Sequence, residues 1–145
     1  MEMEVNKKLL KQLPIELIYH IQKYSYNIQN KDLLVDLTHF LTTKELLYTY
    51  YFNYWLSIDS DSDFKYYILC DLIGYACNNK TLAFGFNEHF YNIFLKNFSL
   101  NNKNKVDKYL VYFDKCTQDS QINILLGLFT KNERNEFMKS KNIQF

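Results

Sequence analysis

A chain of 145 residues with 48% hydrophobic and 18% aromatic side chains is long enough to bury one core and too apolar to stay disordered. Seventeen basic against sixteen acidic residues leave a net charge of +1, and Arg134 is the only arginine, so the clustered basic surface of a nucleic-acid binder is missing. No apolar run reaches the about 18 residues of a membrane span and no leader pattern opens the chain, so the expectation is a non-membrane protein of the intracellular space, in the cytoplasm.

In chain order, Met1 to Gln12 is a charged lead-in with Val5, Leu9 and Leu10 as its aliphatic residues. Pro14 suits the first turn of a helix, where a missing N–H has no intrahelical partner, and Glu16 sits at the positive end of its dipole. Leu17, Ile18, Ile21 and Tyr24 then form one apolar face of a helix over about Pro14 to Tyr24. Asn30 can cap a second helix, whose predicted buried face is Leu33, Leu34, Leu37 and Leu41. Thr42-x-x-Glu45 has the pattern of a capping box and predicts a third helix through Leu46, Leu47, Tyr50 and Tyr54.

Those three segments share residues with a known module. Leu13-Pro14-x-Glu16-Leu17-x-x-x-Ile21-x-x-Tyr24, followed by Lys44-Glu45-Leu46-Leu47 and Trp55, resembles an F-box, the three-helix module that docks substrate receptors onto the small adaptor of cullin–RING ubiquitin ligases. Residues 25–41 are longer than the family's interval. A second register, Asp32-Leu33, Leu37, Phe40-Leu41 and Glu45-Leu46-Leu47 on to Trp55, keeps that interval but lacks the Leu-Pro opening. The resemblance implies a non-enzymatic adaptor that docks through Leu13, Pro14, Leu17, Ile21 and Leu46 and holds its target on the later helices. The abundance of Asn, Lys, Ile, Tyr and Phe resembles the output of an AT-rich genome such as that of a large DNA virus, which would place the protein in a host cell.

Six of the eight residues from Tyr48 to Trp55 are aromatic, more than one helix face can bury against one neighbour. One reading is a thick aromatic core. The other is a face for a protein partner, a ligase adaptor or a second copy in a homodimer, built from Tyr48, Tyr51, Tyr54 and Trp55.

Downstream, Ser60 and Asp63 predict a cap for a helix from Asp63 to Asn78. That helix is apolar on nearly every side, so it is expected at the centre of the fold, with Gly74 marking a close crossing. The acids at Asp59, Asp61 and Asp63 lack the Gly and the terminal Glu of a calcium loop. Lys80 to Phe86 reads as a loop or one short extended segment. Asn87 should cap a helix through Asn97 with Phe90, Ile93, Phe94 and Phe98 inward, and residues 101–104 read as a loop and the best place for a boundary. Val106, Tyr109, Leu110 and Phe113 predict a further helix, as do Ile122, Leu125, Leu126 and Phe129 after Thr117 or Asp119. Thr130-x-x-Glu133 starts a last helix through Lys139. The expected architecture is all-α, one domain of about seven or eight short helices.

Catalytic signals are absent from this pattern. His20, His39 and His89 fall on three different predicted helices with no ligand partner three or four residues away, and Cys70, Cys77 and Cys116 have no zinc spacing and read as packed thiols. The expectation is therefore no cofactor, no metal and no enzymatic activity.

Overall fold

The computed structural model describes residues 31–58, 63–78 and 87–144, which form six helices and no strand. They are α1 (Lys31–Leu56), α2 (Phe64–Ala76), α3 (Glu88–Leu95), α4 (Lys103–Phe113), α5 (Gln118–Leu128) and α6 (Lys131–Ser140). The chain divides into two compact units, Met1–Val35 and Asp36–Phe145, and of the first only the start of α1 is described. The expected helix over Pro14 to Tyr24 lies outside the described residues. The all-helical reading holds for the rest, with fewer helices than expected because two predicted ones are a single helix.

That helix is α1, 26 residues long. The helix break expected at Thr42 does not occur. The Thr42 hydroxyl donates to the Thr38 carbonyl (3.0 Å) and Thr43 to the His39 carbonyl (2.7 Å), so both side chains bond back along a continuing helix instead of capping a new one. The expected buried face is also corrected. Leu33, Leu34, Leu37 and Leu41 are exposed, and the face turned to the core is Thr43, Leu47 and Tyr51, flanked by Phe40, Leu46 and Tyr48. At roughly 100° per residue, Leu41 stands about 120° around the helix from Leu47, so one stripe cannot face inward with the other.

The core is gathered around α2, which packs against α5 and α3, while α3 packs against α4. Ile68, Leu72 and Ala76 of α2 meet Phe90 and Phe94 of α3, Phe113 of α4, Ile122 and Leu125 of α5, and Phe137 of α6 in one cluster. Phe94 meets Phe113 edge-on at 5.8 Å, and Tyr75 packs against both Phe129 and Phe137. The central position expected for α2 is therefore observed, but the helix is not buried all round, since Tyr66 and Cys70 are exposed. Gly74 marks no close crossing, because a Cβ there would meet nothing within 4 Å. Asp63 precedes α2 without a side-chain capping bond, and Ser60 lies outside the described residues. Asn78 follows the helix end in the left-handed region (φ 56°), a conformation that asparagine tolerates.

Four later helices start on side-chain caps, three of them at expected residues and one, Asn102, in the stretch read as a loop. Asn87, Asn102, Thr117 and Thr130 accept from the backbone N–H groups of Phe90, Lys105, Ser120 and Glu133, and the Glu133 carboxylate accepts in return from the Thr130 N–H. Asn102 thus turns the expected loop at 101–104 into the start of α4, and no division of the chain falls there. Phe98 is a further correction. α3 ends at Leu95, the Leu100 N–H returns to the Asn97 carbonyl (2.8 Å), Leu100 is buried, and Phe98 is left 91% exposed. At the other end of the unit α6 closes with a Schellman turn. The Ile143 N–H reaches the Met138 carbonyl, the Asn142 N–H reaches that of Lys139, and Ile143 is buried.

Candidate functional site

Between the C-terminal half of α1 and the first turns of α2 lies an open cleft of about 320 Å³. Tyr50, Tyr51, Tyr54 and Trp55 line it from α1, and Tyr67, Cys70 and Asp71 from α2, with Lys141 entering just after α6. Tyr50, Tyr51, Tyr54 and Trp55 on α1, and Tyr67, Cys70 and Asp71 on α2, include spacings of three and four residues, which align along a helix surface. Trp55 stacks on Tyr67 with centroids 3.7 Å apart, Tyr54 meets Trp55 edge-on at 5.5 Å, and the Tyr50 and Tyr54 rings are nearly parallel at 6.4 Å.

The polar chemistry of the cleft centres on Asp71. The buried Tyr51 donates its hydroxyl to Asp71 Oδ2, and the Lys141 ammonium lies 2.8 Å from the same oxygen. No hydrogen bond to Asp71 Oδ1 is present among the described residues. Burial and the bond to Asp71 both raise the Tyr51 phenol, so it stays a neutral donor and is no general base at neutral pH. The neighbouring Tyr48 is built the same way. Its hydroxyl donates to Asp119 (2.5 Å), which Lys65 also contacts (2.6 Å), and burial together with that carboxylate raises its phenol too.

The expected contact residues separate into three groups. Leu13, Pro14, Leu17 and Ile21 lie outside the described residues. Leu46, Tyr48 and Trp55 are half-buried against the core, and Tyr51 is buried, so an outward face with Tyr51 as a member is corrected: this side chain belongs to the core, and its hydroxyl meets Asp71. Tyr54 is 53% exposed, and Tyr50, Phe52 and Leu56 beside it are exposed as well. Tyr67, Asp71 and Lys141 are site residues that the sequence reading missed. A signal existed for one of them, since Asp71 is the only carboxylate of a largely apolar α2 and must find a partner or solvent.

Of the three thiols expected to be packed only Cys77 is buried, while Cys70 is exposed beside the cleft and Cys116 is half-buried. His39 donates from Nε2 to Asn135 Oδ1 (2.9 Å), and His89 from Nδ1 to the Ala76 carbonyl (2.8 Å), tying α3 to the end of α2; His20 is outside the described residues. Cys77 is buried, and burial pushes its thiol up, away from the nucleophilic thiolate. Among the described residues no three His, Cys, Asp or Glu side chains gather as a metal site, and no helix is long and apolar enough to cross a membrane. Comparison with family models, with curated proteins and with solved structures finds no match to this chain.

Proposed function

We propose that this protein is a non-enzymatic interaction module whose contact face is the exposed aromatic surface of α1 together with the cleft beside α2. The observation behind this reading is the exposure of large apolar side chains on α1. Leu37, Leu41, Tyr50, Phe52, Tyr54 and Leu56 are all exposed on one helix, while three of its 26 residues are buried. Scattered exposed leucines are ordinary, but apolar groups concentrated on one element mark contact surfaces. In the F-box-like form of the proposal, Leu13, Pro14, Leu17 and Ile21 dock onto a ubiquitin-ligase adaptor and the unit Asp36–Phe145 presents a target. In the alternative form the module is a small helical protein, viral in one version, that associates with itself and has no link to ubiquitin.

Two substitutions separate the forms. Leu17→Asp removes an anchor of the F-box-like opening, where loss of such a residue costs about 2 kcal/mol or more of binding, roughly thirtyfold. Tyr54→Lys places a charge on the α1 face without disturbing the core, since this ring is more exposed than buried. Copurification of a ligase adaptor and a cullin with the wild type, lost in Leu17→Asp, is the outcome expected of the first form. A concentration-dependent dimer in sedimentation, weakened in Tyr54→Lys, is expected of the second. A chain that recovers no adaptor and stays monomeric at high concentration defeats both.

A further inference from the structure

We propose that the cleft between α1 and α2 binds the guanidinium of an arginine from another protein, laid against the exposed rings of Tyr50 and Tyr54 and hydrogen-bonded to Asp71 in place of Lys141. The proposal names the ligand chemistry of the contact face described above and rests on that reading. Its first support is the pairing of π-faces with a carboxylate. Aromatic faces attract cations, and a carboxylate with one oxygen unengaged accepts from a fork of N–H donors. Asp71 provides that acceptor, because Tyr51 and Lys141 both use Oδ2.

Lys141 is the second support, since its ammonium already lies 2.8 Å from the carboxylate and shows that the position takes a cation. The pair is half open, with side chains 37% exposed for Asp71 and 30% for Lys141, and ion pairs in that setting contribute little. A lysine on a flexible stem can therefore swing into water and yield its place. Arginine is the better replacement, being planar, weakly hydrated and able to stack and donate at once, where lysine is a compact hydrated point charge. The occupant is also not a second copy of this chain. Its one arginine, Arg134, is fully buried, with Nη1 on the Leu126 carbonyl and Nη2 on Asp36.

Trp55 is the only tryptophan and lines the cleft, so its emission reports occupancy without a label. The test titrates the full chain at constant ionic strength with N-acetyl-arginine amide, N-acetyl-lysine amide and the neutral N-acetyl-citrulline amide. A saturable change with the arginine amide is expected, with lysine and citrulline weaker by roughly tenfold, about the worth of one charge-assisted hydrogen bond. Asp71→Asn, which keeps an acceptor for Tyr51, should weaken arginine binding to a similar degree, whereas Lys141→Gln should strengthen it by removing the competitor. Equal binding of citrulline or of lysine overturns the proposal, and so does weaker binding in Lys141→Gln, which would make the cleft an anion site. The ligand comparison uses the wild type and stands even where a variant fails to fold. No saturable response to the arginine amide overturns this inference alone, because the sedimentation and copurification tests of the contact face do not depend on it.

Discussion

Arg134 shows what a single residue decides in this fold. A guanidinium with no exposed surface needs its charge answered, and Asp36 of α1 answers it while the Leu126 carbonyl takes a second donor; the Arg134 Nε finds no partner among the described residues. Such a pair holds elements in register more than it stabilises them, since desolvation offsets much of the attraction, yet removing one member leaves a buried charge alone. Asp36→Ala is therefore expected to lower stability by about 3 kcal/mol, the lower end of the range for broken buried pairs because the Asp36 side chain is itself half-exposed. The double variant Asp36→Ala with Arg134→Met should recover most of that loss. Urea denaturation of the two proteins decides the matter, and a double variant no more stable than the single one would show that Arg134 acts through its hydrogen bond to Leu126 instead. The same reasoning explains why the sequence was uninformative here: a lone arginine in a polar stretch between Asn132 and Asn135 has the local appearance of a surface residue, and its burial depends on a carboxylate 98 positions earlier.

At the scale of elements, two copies of one pattern had opposite fates. Thr130-x-x-Glu133 forms a reciprocal capping box and Thr42-x-x-Glu45 forms none. Upstream of Thr130 the chain leaves the helix at Phe129 (ψ 135°), where burial of that ring fixes an extended backbone; upstream of Thr42 there is no Gly, Pro or Asn from Lys31 onward to break the helix, and the hydroxyl turns back on Thr38. Periodicity was accordingly enough to read the existence of α2 to α6, and the local caps at Asn87, Thr117 and Thr130 fixed the starts of α3, α5 and α6, whereas α2 starts without the cap expected at Asp63 and Asn102 was read as part of a loop. The facing of α1 was not readable, because two apolar stripes compete along it and neighbours distant in sequence choose between them. The cleft was half readable for the same reason: the aromatic run of α1 was evident, but Asp71 and Lys141 meet it only through tertiary packing. The register of α1 can be tested directly. Leu41, 62% exposed, should accept Glu with a change within about 0.5 kcal/mol, whereas Leu47→Ala should cost about 2 to 5 kcal/mol through lost burial and a residual cavity. Chemical denaturation showing the reverse order would place the leucine stripe inward and refute the facing described here.

For the molecule as a whole, the fold is bounded in pH by tyrosines on one side and carboxylates on the other. Tyr48, Tyr51 and Tyr75 each donate to a carboxylate, Asp119, Asp71 and Glu136, and burial with that neighbouring negative charge raises all three phenols, Tyr75 to about 12. A tyrosine in the unfolded chain ionises near 10. Because the folded values lie above the unfolded one, the stability these groups contribute is fully present below about pH 10 and is lost as pH rises through the folded values. On the acid side the signs reverse. The bonds from Lys65 and Tyr48 hold Asp119 below the usual carboxylate range; burial opposes ionisation of Glu133, but Lys96 and the Thr130 cap outweigh it. Those contributions are present above about pH 4 and lost as pH falls through the depressed values. The expected curve is thus flat across neutrality and falls at both ends, and the alkaline fall is the more specific claim. Denaturation midpoints measured from pH 7 to 11, with tyrosinate absorbance followed in parallel, should show part of the tyrosinate absorbance appearing only as the chain unfolds. Tyr51→Phe should lessen the alkaline fall. A midpoint constant from pH 9 to 11, or all thirteen tyrosines titrating together in the folded chain, would mean that these hydroxyl–carboxylate bonds do not stabilise the fold.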